Sequence, residues 1–258
     1  MQRRVPITEA QRELSYAKYY DEEIVAPPRE SLALIQKGPI DPAEALPISE
    51  RNRLFEPGYL EAEIGFCIMP DGTGYVANLT RMPGVTAEMF DWWFAWHGLD
   101  SLRYKIWDRE DHMYCQTRNP EQARDPKLSY KEKYWNTRHD VIEAFGPEPK
   151  EVVIPFIPPQ NMGFDPEKLK DFKGTIVAMA AEDNRTISCH FVQPVEGGVE
   201  LYSRFWFGWH LKDGHPERFD DKIMPEQLPK ALLLHNIKEF TNLARLLPRI
   251  FPEERDNF

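Results

Sequence analysis

The sequence predicts an α+β domain in which a curved antiparallel sheet grips one long C-terminal helix. Three observations lead to this prediction. Short apolar strands separated by turn residues fill the middle of the chain, a tryptophan-rich helix interrupts them early, and an unbroken helical pattern closes the sequence. The 258 residues suffice for one sizeable core, so we expect a principal domain at 58–258 and a small N-terminal arm at 1–57.

The arm is rich in Pro, Glu and Arg and has only short apolar stretches, as in VAPPRE and KGPIDPAEALPISE. This composition favours a segment that packs on another surface. A second subunit is one such surface, and we therefore expect the arm to be a dimerisation region.

The principal domain begins with a hairpin. EIGFCIM and YVANLT read as strands, and Asp71 and Gly72 supply the tight turn between them. Thr86 can cap the helix AEMFDWWFAWH at 87–97, which Gly98 ends. For 102–134 the mixed polar pattern predicts a second helix and a long surface loop.

Several further strands follow, and one long helix closes the domain. HDVIEAF alternates like a strand, VVIPFI is a compact apolar run, and GTIVAMA, AEDN and RTISCHFV form a hairpin with its turn. VELYSRFWFGWHL adds another strand. MPEQLPKALLLHNIKEFTNLARLL has helical spacing, and the regular helix is expected to begin near Pro229.

Charge and composition exclude several classes of function. A formal net charge of -10 without a basic stripe argues against nucleic acid as a partner. Three dispersed cysteines form no disulfide framework, which is typical of a reduced cytoplasm. We find neither a signal peptide nor an apolar run long enough to span a membrane, so we expect a cytoplasmic protein without a membrane partner.

The last helix carries two polar residues in the middle of its apolar stripe. On a helical wheel, His235 and Glu239 lie at the centre of a face made by Leu228, Leu232, Leu243 and Leu246. Burying an imidazole and a carboxylate costs several kcal/mol unless each is paired or bound to a metal. Their spacing of four residues directs both side chains to one spot. A hydrogen-bonded pair without metal would satisfy this spacing equally well.

A third candidate ligand, His97, lies on the tryptophan-rich helix, where it shares a face with Phe90, Trp93 and Phe94. Two separate elements thus offer a core-facing histidine, and zinc commonly combines His nitrogen with carboxylate oxygen. A lone core histidine is otherwise usually structural.

The fourth ligand is expected from HDVIE, where strand alternation puts His139 and Glu143 on one side. Glu143 is the first choice, His139 the second, and Glu132 a fallback. His112, His210 and His215 are expected at the surface. For His190, a cavity position and a packing position beside the sheet both remain open.

Five segments together resemble the diacetylphloroglucinol hydrolase family, which includes phloretin hydrolases: MPDGTGYVAN, MPGVTAEMFDWWFAWHGLDSLRYKIW, HDVIEAFG, GGVELYSRFWFGW and HNIKEFTNLARLLP. The resemblance covers roughly 63–248. It implies a helix-grip (Bet v 1-like) fold, dimerisation through the N-terminal region, and one zinc ion per chain held by two His and two Glu. Carried over by motif, these ligands are His97, Glu143, His235 and Glu239.

The resemblance also implies hydrolysis of the carbon–carbon bond between an acyl group and a phloroglucinol-type ring, so the expected partner is a small aromatic ketone. The leaving ring carbon accepts a proton, and a nearby histidine could deliver it, with His139 and His190 as our candidates. Asp100, His139, His190 and Tyr202 are candidate substrate contacts by position. Flat apolar walls are expected from Trp93, Phe94, Tyr202 and Trp206.

Two other functions stay open at this point. A helix-grip cavity also suits a non-catalytic binder of hydrophobic aromatic ligands. A metal enzyme with different chemistry, such as a decarboxylase or an ester hydrolase, is the weaker alternative. The ligand set also suits iron or manganese as well as zinc.

Overall fold

One antiparallel sheet of eight strands makes up the centre of the protein, which we describe from a computed structural model for residues 4–146, 148–181 and 185–258. The strands are β1 (Gly65–Ile68), β2 (Gly74–Pro83), β3 (His112–Thr117), β4 (Thr137–Glu143), β5 (Lys150–Ile157), β6 (Thr175–Ala181), β7 (Thr186–Val195) and β8 (Gly198–Phe207). Their order in the sheet is β1-β2-β8-β7-β6-β5-β4-β3. A separate two-stranded sheet joins β9 (Trp209–Lys212) and β10 (His215–Arg218).

Eight α-helices accompany the described strands: α1 (Glu9–Arg12), α2 (Arg29–Gln36), α3 (Ala87–Trp96), α4 (Ser101–Trp107), α5 (Pro120–Arg124), α6 (Tyr130–Tyr134), α7 (Pro166–Asp171) and α8 (Gln227–Glu254). The sheet wraps around α8, and α3 packs between them. The Asn78 side-chain amide on β2 donates to Asn236 Oδ1 on α8 over 2.9 Å. This arrangement confirms the predicted helix-grip fold.

Most of the predicted elements are present. The tryptophan-rich helix begins after the Thr86 cap as expected, and α8 begins two residues before Pro229. The predicted AEDN turn includes residues 182–184, which lie outside the described residues.

The prediction of a long surface loop within 102–134 is wrong, because part of this stretch is a strand of the sheet. After α4, this stretch contains β3, which pairs with β4 and forms the edge of the sheet, and the two short helices α5 and α6. A register shift between His112 and Tyr114 breaks the alternation of β3, so its buried side chains do not follow a simple period of two.

The arm packs on its own chain. Leu46, Ile48 and Leu54 cover the outer face of the sheet, and the Trp206 indole donates to the Leu46 carbonyl over 2.8 Å. Near the start of the chain, the Tyr19 hydroxyl donates to Glu253 at the end of α8. A role of the arm in dimerisation stays a prediction. In the described part of the chain, none of the helices is long and apolar enough to cross a membrane.

Candidate active site

A cavity of about 1000 Å³, counting the space at its mouth, separates the inner face of the sheet from α8. Its walls are largely aromatic and aliphatic, as expected for a site that binds a flat organic ligand. The aromatic walls are Phe94, Tyr104, Trp107, Phe145, Phe156, Phe205 and Phe207. Polar side chains at one end of this apolar space are therefore candidates for chemistry.

Four such side chains converge from three elements. His112 begins β3 and Glu143 ends β4, and the pairing of these strands places the two residues directly opposite one another. His235 and Glu239 lie one turn apart on α8, so both point at the same end of the strands. All four are shielded: the side chains are between 0% and 12% exposed.

Their donor atoms are spaced as a metal would require. His112 Nε2 lies 3.4 Å from His235 Nε2 and 3.5 Å from Glu239 Oε2. His235 Nε2 lies 3.8 Å from Glu143 Oε2 and 3.9 Å from Glu239 Oε2. Tetrahedral zinc with bonds of roughly 2.0–2.2 Å places its ligand atoms roughly 3.3–3.6 Å apart. These four distances are close to those around a zinc-sized ion, and an oxygen of Asp108 also lies within 4.8 Å of a nitrogen of each histidine.

The orientation of the two imidazoles supports the same conclusion. His112 Nδ1 donates to the Tyr104 carbonyl over 3.0 Å, and His235 Nδ1 lies 3.4 Å from Asp111 Oδ2. Because both acceptors are oxygen atoms, each Nδ1 carries a proton. His112 is neutral and presents a lone pair at Nε2, and His235 would do the same on losing its Nε2 proton. The two Nε2 atoms face each other at 3.4 Å, where a metal ion could replace the proton that a charged His235 holds between them.

A second layer of hydrogen bonds holds the four groups in place. The Tyr104 hydroxyl donates to Glu143 Oε2 over 2.7 Å, and the Asn236 amide donates to Glu239 Oε1 over 3.1 Å. Behind His235, the ammonium of Lys238 lies 2.9 Å from Asp108 Oδ2 and also pairs with Asp111. Outer partners of this kind fix the orientation of metal-binding side chains.

Burial and charge perturb the pKa of His112, His235 and Glu239 strongly. Burial, reinforced by the neighbouring His235, holds the pKa of His112 well below its ordinary value. Burial raises the pKa of Glu239 to about 8 against the attraction of His235. Burial would lower the pKa of His235, but Glu239, Asp111 and Glu143 raise it to about 9. A divalent cation that replaced the protons held by His235 and Glu239 would stabilise the charged carboxylates and the neutral imidazoles in this buried place.

The histidine that meets His235 and Glu239 is His112, and the expectation that it lies at the surface is wrong because it is fully buried. The predicted ligand His97 lies elsewhere on the cavity wall. Its Nδ1 donates to the Trp93 carbonyl over 2.9 Å, and its ring lies next to that of His139. The candidate set therefore changes to His112, Glu143, His235 and Glu239. The fallback Glu132 instead closes a capping box at the exposed start of α6.

Both predicted catalytic histidines line the cavity. His139 lies on β4 with its Nδ1 3.8 Å from the Cys115 sulfur. His190 lies on β7, where its Nδ1 is 2.9 Å from the Ser203 hydroxyl and its ring is 4.6 Å from that of Phe240. Burial lowers the pKa of His190 to about 3 and that of His139 well below its ordinary value, so both rings are neutral near pH 7.

Of the predicted substrate contacts that are not histidines, only Phe94 is among the described wall residues. Trp93 is fully buried and stacks on His97, while Asp100 caps α4 by accepting from the Leu102 amide over 2.7 Å. Tyr202 and Trp206 lie on the outer face of the sheet under the arm. The prediction is wrong for Tyr202 and Trp206 because aromatic character does not reveal which face of a strand a residue occupies. It is wrong for Trp93 and Asp100 because position in the sequence does not reveal which residues of a helix or its cap reach the cavity.

The residues missed by the sequence analysis include His112 and the wall residues Tyr104, Trp107, Phe145, Phe205 and Phe207. One local signal precedes His112. Asp108 accepts from the Glu110 and Asp111 amides, which makes DRED a tight turn between helix α4 and a following strand.

An antiparallel sheet around a helix, with two His and two Glu at the end of an aromatic cavity, defines a helix-grip protein with a polar centre suited to a metal. A family model described as the DAPG hydrolase PhiG domain matches residues 46–252, and the chain belongs to this family. The chain is 38% identical to phloretin hydrolase from Eubacterium ramulus over 99% of its own length and 96% of the relative's.

A more distant relative is 2,4-diacetylphloroglucinol hydrolase from Pseudomonas protegens, which is 28% identical over 95% of this chain and 86% of the relative. Among solved structures, that of Ara h 8.0201 aligns with 68% of this chain and 98% of its own length, at 7% identity and a TM-score of 0.41. The fold assignment rests on the strand order and on α8.

Proposed function

We propose that this protein is a metal-dependent hydrolase that cleaves the carbon–carbon bond between an acyl group and a phloroglucinol-type ring. Membership of the DAPG hydrolase family and the names of its two hydrolase relatives support the reaction. The observation that carries the proposal is the convergence of His112, Glu143, His235 and Glu239 at the end of an aromatic cavity. In this proposal they hold one zinc ion per chain.

Zinc bound by these residues would supply Lewis acidity toward the ketone oxygen and toward water. The residues of the chain position the metal ligands and the substrate. Tyr104 holds Glu143 through its hydroxyl, and the aromatic walls orient a flat ring and exclude bulk water from it.

Protonation of the ring carbon that the acyl group leaves needs a donor within the cavity. His139 and His190 remain our candidates. We favour His190 because the Ser203 hydroxyl, by donating to its Nδ1, would keep the ring proton on Nε2 and hold the ring in one orientation. The proposal also includes a homodimer in which residues 1–57 take part, and a cytoplasmic location that is in keeping with three free cysteines.

The test combines metal analysis with turnover. Purified protein should contain about one zinc per chain and release the acyl fragment from phloretin or an acylphloroglucinol, as identified by mass. Glu143→Gln should lose both zinc and turnover because it removes a charged ligand. Glu132→Gln is the matched control, since Glu132 lies in an exposed helix cap and should change neither.

The rival function, a non-catalytic binder, makes the opposite prediction. It requires ligand binding that chelation leaves unchanged and no product from any acylphenol. Turnover of esters or carboxylated phenols, but not of acylphenols, would instead establish the metal and overturn the reaction.

A further inference from the structure

A second group of metal-binding side chains includes two residues of the same cavity wall, His97 and His139, and the fully buried Cys115 beside His139. Cys115 on β3, His139 on β4 and His97 after α3 each offer one ligand atom, and these atoms lie within 4.8 Å of one another. All three residues are buried: Cys115 is 0% exposed and each histidine 3%. None of them belongs to the proposed zinc ligands.

The two groups occupy different ends of the cavity. His139 and Glu143 are four residues apart on β4, which corresponds to roughly 13 Å along an extended strand. Glu143 is opposite the exposed Lys150, whereas His139 is opposite Ile154 and is buried. The Cys115 group therefore lies at the deeper end, away from His235.

The geometry of the group suits a tetrahedral ion. The Cys115 sulfur lies 3.8 Å from His139 Nδ1. Bonds of roughly 2.3 Å to sulfur and 2.0–2.1 Å to nitrogen place these two ligand atoms roughly 3.5 Å apart around zinc. His97 uses Nδ1 to donate to the Trp93 carbonyl, which leaves the Nε2 lone pair for a ligand.

A glycine makes room for this arrangement. A Cβ atom added to Gly98 would lie 2.4 Å from His139 Cε1, so the His139 ring packs directly on the backbone beside His97. Gly98 does not end the chain's helical path as the sequence suggested, because a 3-10 turn continues through His97–Leu99. Its function here is to allow the close approach of the two imidazoles.

We propose that Cys115, His97 and His139 form a second metal site, selective for thiophilic cations such as Cd²⁺, Cu⁺ or a second Zn²⁺. A soft thiolate with two imidazoles is the ligand set that these ions prefer. On binding, the Cys115 thiol loses its proton to solvent and the thiolate sulfur forms the bond to the ion, without a change of oxidation state. Three protein ligands leave the fourth position open toward the cavity.

An ion in this position takes up the deep end of the substrate cavity. Thiophilic cations should therefore inhibit turnover in competition with the aromatic substrate. This consequence rests on the proposed function, whereas the metal site itself does not.

The test titrates zinc-saturated protein with Cd²⁺ and follows the ultraviolet charge-transfer band of a cadmium–thiolate bond. Wild-type protein should bind one equivalent with this band. Cys115→Ser should lose the band, and His139→Gln should weaken cadmium binding at least about tenfold, as loss of one ligand implies. Cys189→Ser is the matched control because Cys189 is equally buried but lies on the outer face of the sheet.

His112→Ala separates the two sites, since it removes a proposed zinc ligand and should leave the band intact. The proposal is overturned if wild-type protein shows no band, if Cys115→Ser retains it, or if His112→Ala abolishes it. Because the readout is spectroscopic, a failure of the proposed hydrolase activity would leave the result interpretable.

Discussion

His112 Nε2 and His235 Nε2 face each other at 3.4 Å, although the two residues are 123 positions apart in the sequence. Each ring is held from behind, His112 by the Tyr104 carbonyl and His235 by the carboxylate of Asp111. The pair brings the edge strand of the sheet and the C-terminal helix to one point.

Replacing Asp111 should weaken metal binding without removing a ligand. Asp111→Ala deletes the carboxylate that orients His235 and removes one of the three carboxylates paired with Lys238. We expect zinc affinity to fall by about 10- to 100-fold, the usual range for loss of such an outer partner. Competition with a chromophoric chelator measures this affinity directly.

Glu110→Ala is the control for that measurement. Glu110 also lies near Lys238, at 3.4 Å, but it makes no described contact with His235. If both variants lost zinc affinity equally, the summed charge near the site would explain the effect and the orientation of His235 would not.

Substitutions on opposite faces of β8 should affect different properties, substrate binding on one face and stability on the other. Phe205 lines the cavity, whereas Tyr202 packs under the arm and donates to Glu200. Phe205→Leu should raise KM for an acylphloroglucinol roughly 2- to 10-fold, because an aromatic contact contributes about 0.5–1.5 kcal/mol. Tyr202→Leu should leave KM unchanged and lower the free energy of unfolding by about 1–3 kcal/mol. Steady-state kinetics and urea unfolding on both variants measure these effects. A raised KM in Tyr202→Leu with an unchanged KM in Phe205→Leu would show that the faces are assigned incorrectly.

Asp91 should make stability depend on pH. It is buried on α3 and accepts from the Tyr134 and Thr175 hydroxyls, and burial raises its pKa to about 6. Because this pKa lies above that of an unfolded chain, the protonated acid favours folding. The contribution is fully present below about pH 4 and is lost as the pH rises through 6.

The comparison is with Asp91→Asn, which keeps the oxygen acceptor and cannot ionise. The stability of the wild type relative to this variant should fall by on the order of 2–3 kcal/mol between pH 4 and pH 7, the size of such a pKa difference. Urea unfolding at several pH values measures it. Parallel curves for the two proteins would contradict the assignment.

Local periodicity predicted the direction of a side chain correctly where that direction depends on a single helix or strand. The helical wheel placed His235 and Glu239 on a buried face, and strand alternation selected Glu143, because both patterns follow from backbone geometry over a few residues. The same reasoning was wrong for Tyr202 and Trp206, since the register of β8 against its neighbours determines which residues face the cavity.

The sequence by itself therefore determined the order of most strands and helices, the helix-grip class of fold and three of the four candidate ligands. Only the tertiary structure decided the fourth, by pairing β3 with β4 so that His112 lies opposite Glu143 and beneath His235. Because β3 contains a bulge, simple alternation along the strand does not predict that His112 faces the site. Strand pairing joins residues that are distant in the chain, and no pattern within a short window records it.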